Sequence, residues 1–247
     1  MRITIHHNNQ NICFDLKNVH DITLGIKKNE NVNCYHLQQP EFKYFKNEFF
    51  NGSLSDGGSV NCEKISLYPH ASGTHTECAL HVAPVDFNLY TLNINSFCLS
   101  KLISITPATN GMDRFISENE LMNLNNEQQC EALIIRTMPN GETKINFNYS
   151  DTNPCYLTES AIVKIKSMGF NHLIVDLPSI DKESDEGKLA AHKQWFFDDG
   201  VVNSDRLITE FVFVNNSIVD GIYVAQIQLP KIETDALPSK VLIYPIL

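Results

Sequence analysis

The sequence predicts an α/β protein, on three observations. Ala132–Arg136 is an unbroken apolar run of the kind carried by a strand buried on both faces. Thr158 precedes a stretch whose Ile162, Ile165 and Met168 share one helical face, with Gly169 at the C-terminal stop. A second buried run, His172–Leu177, follows at once, and such helix-to-strand alternation is the mark of the class.

The remaining elements follow in chain order. Arg2–His6 and Ile12–Leu16 place apolar residues at every second position and read as a hairpin across Asn8–Asn11. Asp21–Ile26 reads as a strand. From Lys27 to Ser59 comes a long polar segment rich in aromatics: Tyr35, Phe42, Tyr44, Phe45, Phe49 and Phe50. It is either a loop packed over a site or a surface excursion with its own apolar cluster. Ser66–Tyr68 reads as a strand, Pro69 as a turn and Gly73–Val82 as a second extended segment. Leu89 through Ile105 is strand-rich, and Ser117 with Glu120 forms a capping box that predicts a short helix through Leu124. Leu189–Phe197 reads as a helix, and Leu207–Val214, Gly221–Leu229 and Val241–Ile246 as strands. No repeat, linker or charge block divides the chain, so one domain over residues 1–247 is expected.

Composition narrows the function. Against 19 basic residues stand 29 acidic ones, a formal charge of −10 that argues against a nucleic-acid or anionic-membrane partner. No run approaches the roughly 18 apolar residues of a membrane span, and Met1–His7 carries no apolar leader region, so a cytoplasmic protein is expected. Seven cysteines, an odd number without a CxxC pair, fit reduced thiols better than a disulfide framework.

The chemistry concentrates between His70 and His81, which hold three of the nine histidines, one carboxylate and one thiol. In an extended strand His75, Glu77 and His81 face one side, because alternate residues share a face. His75 and Glu77 then lie about 6.6 Å apart along the strand, close enough to converge on one ion. His81 would sit roughly 20 Å from His75 on a straight strand, so it belongs to a bend, to a second ion, or to proton transfer beside the metal. Cys78 points to the opposite face, as a small buried hydrophobe does; a thiol hydrolase using Cys78 is the weakest of the functional readings.

Gly73-Thr74-His75-Thr76-Glu77-Cys78-Ala79-Leu80-His81 resembles the HxGTHxDxPxH signature of the metal-dependent cyclase family, which includes bacterial kynurenine formamidase and isatin hydrolase. Asp176–Asp181 is similar to the family's aspartate-rich segment and Ala191-His192-Lys193 to its later AHR element, and Glu210 falls where the family places a glutamate. Asp220–Tyr223 and Asp235–Pro238 also resemble family segments. The resemblance implies a swivelling β/β/α fold with a mixed sheet and a divalent metal, zinc first and manganese second. It further implies hydrolysis of an amide or cyclic amide on a small-molecule substrate, in a homodimer or homotetramer. Carried over by position, His75 and Glu77 are ligands, His192 and Glu210 hold a second ion, and His81 is the acid or base.

Three positions depart from the signature. Ala71 stands where the family's first histidine falls, with His70 one place earlier; His70 becomes a ligand if a bulge near Ala71 or Ser72 turns it inward. Glu77 replaces aspartate and Ala79 replaces proline. The alternative function is a catalytically silent relative that binds a small molecule or a metal.

Overall fold

The structure is a computed structural model that describes residues 1–247. The chain opens with an antiparallel hairpin of β1 (Arg2–His7) and β2 (Gln10–Asp15). Asn8 and Asn9, at φ 45° and 62°, make its two-residue turn, a conformation asparagine tolerates well. Phe14 on the hairpin's inner face packs against Tyr244, with ring centroids 5.1 Å apart.

Nine further strands form one mixed sheet: β3 (His20–Asp21), β4 (His75–Glu77), β5 (Phe97–Ile105), β6 (Ala132–Thr137), β7 (His172–Val175), β8 (Leu207–Glu210), β9 (Gly221–Gln228), β10 (Ala236–Pro238) and β11 (Lys240–Pro245). Their spatial order is β10-β4-β8-β7-β6-β5-β9-β11-β3. The central four, β5 to β8, run parallel and all other neighbours antiparallel.

Strand alternation sends Leu133 and Ile135 of β6 to one face and Ala132 and Ile134 to the other. On the first face lie α1 (Glu159–Ser167), which links β6 to β7, and α2 (Ala190–Phe196), which links β7 to β8. Ala161, Ile162 and Ile165 of α1 and Ala191, Trp195 and Phe196 of α2 close this core. Thr158 caps α1 by accepting the Ala161 N–H at 3.3 Å. No helix is long and apolar enough to cross a membrane.

Several expectations require correction. The Ser117–Glu120 capping contacts exist, with the Glu120 carboxylate accepting the Ser117 N–H at 2.7 Å, but residues 118–123 form successive turns and no helix. Capping bonds satisfy a helix start without supplying the cooperative run that follows it. The strand expected over Leu207–Val214 stops at Glu210, because Phe211 adopts a left-handed φ of 56°. Asp21–Ile26 contributes only β3 and one bridge from Thr23 to Val212, and the segment before Phe97 is turns rather than strand. The extended reading of Gly73–Val82 shrinks to three residues of strand, flanked by 3-10 turns at Pro69–Ala71 and Ala79–His81.

Both readings of Lys27–Ser59 hold in part. Val32 and Cys34 are buried with Leu24, Ala71 and Phe211, beneath a loop that carries Tyr35 and Leu37 to a cavity. Glu41–Tyr44 instead pairs with Glu63–Ser66 as an outlying hairpin whose Phe49 is 90% exposed.

Candidate metal centre

β4 carries the site. It lies between β8 and β10, with Glu210 opposite His75 and Ala236 opposite Glu77. Gly73 lets the chain enter: at φ 145° its missing side chain would lie 2.7 Å from the Leu24 carbonyl oxygen. Thr74 then locks the turn, accepting the Leu24 N–H at 2.7 Å and donating to the Phe211 carbonyl at 2.5 Å. The positive φ of Phe211 is strain of the kind that collects at functional sites, and it directs the chain away just after Glu210.

On the face opposite the centre, a buried polar chain ties β4 to its neighbours. The His172 Nε2 lies 2.7 Å from the Thr209 hydroxyl, which lies 2.7 Å from the Thr76 hydroxyl, which donates to Ser239 Oγ at 3.0 Å.

The six residues singled out by sequence meet at one place. The Glu77 carboxylate, with no exposed surface, lies 2.9 Å from His192 Nε2 through one oxygen and 3.2 Å from His70 Nδ1 through the other. His81 Nε2 is 4.0 Å from the second oxygen, and His75 Nε2 is 3.3 Å from Glu210 Oε2. The two 3-10 turns explain how residues outside β4 join it. One swings His70 inward without a strand bulge, and the other folds His81 back, so the straight-strand separation of roughly 20 Å does not arise. Of the three roles left open for His81, the structure provides the bend.

Four of these atoms have no hydrogen-bond partner although all are buried: both oxygens of Glu77, and Nε2 of His75 and of His192. Glu77 and His192 approach to 2.9 Å yet lack the alignment of a hydrogen bond. Buried polar atoms without partners are costly, and a cation is a partner that this donor set fits.

The outer faces of the imidazoles are tied down. The His75 Nδ1–H donates to the Gly73 carbonyl at 3.0 Å, leaving Nε2 as the inward lone pair. The His192 Nδ1–H donates to Asp181 at 2.6 Å, and Asp181 also accepts the Ala191 and His192 N–H groups at the start of α2. Such carboxylate–histidine pairs orient imidazoles towards metals. Mixed imidazole and carboxylate donors suit zinc and manganese alike, so the residues fit a divalent cation. Every group of ligand-type side chains that converges within 4.8 Å falls here: His70–His75–Glu77, Glu77–His81–His192 and His70–His81–Asp235.

The electrostatics point the same way. Burial works against the Glu77 carboxylate, yet the imidazoles of His192 and His70 hold its pKa well below the usual range. Burial likewise opposes protonation of His192, and the charge of Glu77 with the Asp181 hydrogen bond raises it well above the histidine range. At His70 burial is outweighed by Asp235 and Glu77, which raise it to about 10. Cation binding at these imidazoles would therefore be linked to proton release.

A cavity of about 370 Å³ opens onto the centre, bounded by Tyr35, Leu37, His70, His81, Pro178 and Glu210. Tyr35 is more than a third exposed, yet its hydroxyl end meets Ser179 and the Glu210 charge, and burial there pushes its pKa up. A larger depression of about 660 Å³, lined by Lys166, Lys193 and Asp198, contains none of the converging groups. The acidic turn after Asp181 is structural. Glu183 accepts the Asp151 and Asn153 N–H groups, and Asp185 those of Gly187 and Leu189. Cys78 is buried in an apolar cluster, and burial pushes its thiol up to about 11, which does not suit a nucleophile.

Sequence reasoning did not single out Asp235 as a site residue, although Asp235–Pro238 contributed to the resemblance. Its carboxylate lies 2.9 Å from His70 Nε2 and 3.3 Å from His81 Nδ1. Asp181 was noticed only as part of a segment, and Tyr35 only as one aromatic among several.

Fold and site together define an α/β protein with a buried histidine–carboxylate donor set able to hold a divalent cation. Residues 9–182 match the family model described as "Putative cyclase", and the chain belongs to that family. Three solved structures share its fold. One is a potential metal-dependent hydrolase with cyclase activity, at 18% identity and a TM-score of 0.64, with 92% of this chain and 96% of that one covered. The second is a predicted metal-dependent hydrolase from Bacillus stearothermophilus, at 19% identity and a TM-score of 0.64, covering 92% and 97%. The third is an isatin hydrolase bound to the product analogue thioisatinate, at 14% identity and a TM-score of 0.67, covering 93% and 92%. A comparison with curated proteins finds no match.

Proposed function

We propose that this protein is a metal-dependent hydrolase that opens the C–N bond of an amide or cyclic amide, in the manner of an arylformamidase. One observation carries the reading: four buried donor atoms of His75, Glu77 and His192 converge without hydrogen-bond partners, behind a cavity that His70, His81, His192 and Glu210 line. The titles of the structural neighbours, two metal-dependent hydrolases and an isatin hydrolase, support the reaction class.

In this reading His70, His75 and Glu77 hold one cation position, and Glu77, His192 and Glu210 a second. Zinc is the first choice and manganese the next. A bound divalent ion supplies a Lewis acid for the carbonyl and lowers the pKa of water. His81 stands beside the ligands with Nδ1 towards Asp235 and Nε2 towards the centre, placed to take a proton from the nucleophile and return it to the leaving nitrogen. Tyr35, Leu37 and Pro178 offer an apolar wall for a planar group. The same proposal includes a small-molecule substrate and a cytoplasmic homodimer or homotetramer.

The test is metal analysis of the purified protein combined with hydrolysis assays on N-formylkynurenine and isatin. Stoichiometric zinc or manganese with turnover, both lost in His75→Ala, is the expected result. Bound metal without turnover on any aryl amide favours the catalytically silent relative. A folded protein that takes up no metal refutes the proposal.

A further inference from the structure

We propose that Asp235 is the positioning residue of this centre, holding His70 as a ligand and His81 as the proton carrier through one carboxylate oxygen. The inference rests on the metal-dependent reading above.

His70 and His81 differ from the other imidazoles of the site in where they stand. His75 lies on β4 and His192 on α2, whereas His70 and His81 each occupy a short 3-10 turn on either side of β4. A turn of three residues fixes its side chains less firmly than a paired strand does. The two rings nevertheless lie 4.2 Å apart between centroids, tilted by 30°. Asp235 Oδ2 meets both, at 2.9 Å from His70 Nε2 and 3.3 Å from His81 Nδ1. Its other oxygen accepts the Thr234 hydroxyl at 3.0 Å.

An ionised carboxylate only accepts hydrogen bonds. Both facing nitrogens therefore carry hydrogen, and in the neutral rings the lone pairs sit on His70 Nδ1 and His81 Nε2. Those are the atoms 3.2 Å and 4.0 Å from the Glu77 carboxylate. Asp235 thus selects the tautomer each role needs, as Asp181 does for His192. It is itself well anchored: its carbonyl accepts the Cys78 N–H at 3.0 Å, and Ala236 next to it pairs with Glu77. The edge strand β10 consequently fixes the outward side of the site while β4 fixes the inward side.

The test uses Co²⁺ as the probe, with binding followed by its visible absorption in wild type, Asp235→Asn, His70→Ala and the double variant. Loss of the supporting carboxylate is expected to weaken Co²⁺ binding about 10–100-fold and to shift the visible bands. Because Asp235 acts through His70, the double variant is expected to bind no more weakly than His70→Ala alone. Additive losses overturn the proposal, since they place Asp235's contribution elsewhere. A measurement on the zinc-loaded wild type covers a variant that fails to fold. Long-range ¹H–¹⁵N spectra of the imidazoles are expected to show hydrogen on Nε2 of His70 and on Nδ1 of His81, and the reverse tautomer at His70 overturns the inference. If wild type binds neither Co²⁺ nor zinc, the metal-dependent reading itself fails, a result distinct from additive losses in a protein that binds both.

Discussion

His172, at the start of β7, gives the chain an acid weakness that can be measured without metal or substrate. Burial pushes its imidazole from 6.5 down to about 3, with Nε2 against the Thr209 hydroxyl. In the unfolded chain the same group titrates near 6.5. Between those values the unfolded state binds a proton that the native state refuses, so stability falls as pH falls. The slope is about 1.4 kcal/mol per pH unit below 6.5, amounting to about 2 kcal/mol at pH 5. His70 and His192 act in the opposite sense. Their folded pKa values are raised, so their contribution is complete below about 6.5 and is lost at higher pH. Comparison with His172→Gln, whose amide can still meet Thr209, cancels these shared terms. In urea unfolding with chelator present, the variant is expected to gain about 2 kcal/mol on wild type between pH 7 and pH 5. Parallel stability curves across that range would refute the reasoning, because they would mean that His172 takes up its proton in the folded state.

Other predictions concern the centre. Zinc at a thousand times its dissociation constant is expected to stabilise the fold by about 4 kcal/mol, or about 8–16 °C in melting temperature for a chain of this size. In Glu77→Gln, which removes the charge shared by both proposed ion positions, calorimetry should show a shift of a few degrees at most. Metal must displace the proton that His70 holds up to about pH 10, so apparent affinity should rise about tenfold per pH unit for each proton released between pH 6 and 9. Titration calorimetry in buffers of different ionisation enthalpy counts those protons, and a count of zero contradicts the assignment. Gly73→Ala would place a methyl 2.7 Å from the Leu24 carbonyl, so a loss of about 1–3 kcal/mol and weaker metal binding are expected in unfolding and cobalt titrations. A variant as stable as wild type would show that the entry to β4 tolerates a side chain.

Elements set by local chemistry were legible in the sequence. Thr158 and Gly169 mark the ends of α1, the apolar runs at Ala132 and His172 are β6 and β7, and Asn8–Asn9 is the turn of the first hairpin. The six proposed site residues came from residue type, spacing and family resemblance. Their mutual placement did not, because it depends on two 3-10 turns that strand periodicity cannot register. Asp235 was missed for a related reason. Its proximity to His70 arises from the pairing of Ala236 with Glu77, and nothing in local sequence specifies a partner so far along the chain. Ser117 and Glu120 show the converse error, in which a correct local signal acts without the element it usually opens.

The position of β4 has a consequence for the order in which the molecule is built. Three residues, His75–Glu77, are held between β8 and β10, whose residues leave the ribosome long afterwards. While β5, β6 and β7 can already associate around α1, the histidines near residue 75 wait without strand partners. A nascent chain halted before Asp235 lacks β10 and the carboxylate shared by His70 and His81, whatever the concentration of cation around it. The three-residue strand that carries His75 and Glu77 is therefore among the last parts of the sheet to find both of its partners, and the arrangement of the donor set follows the docking of β8 and β10.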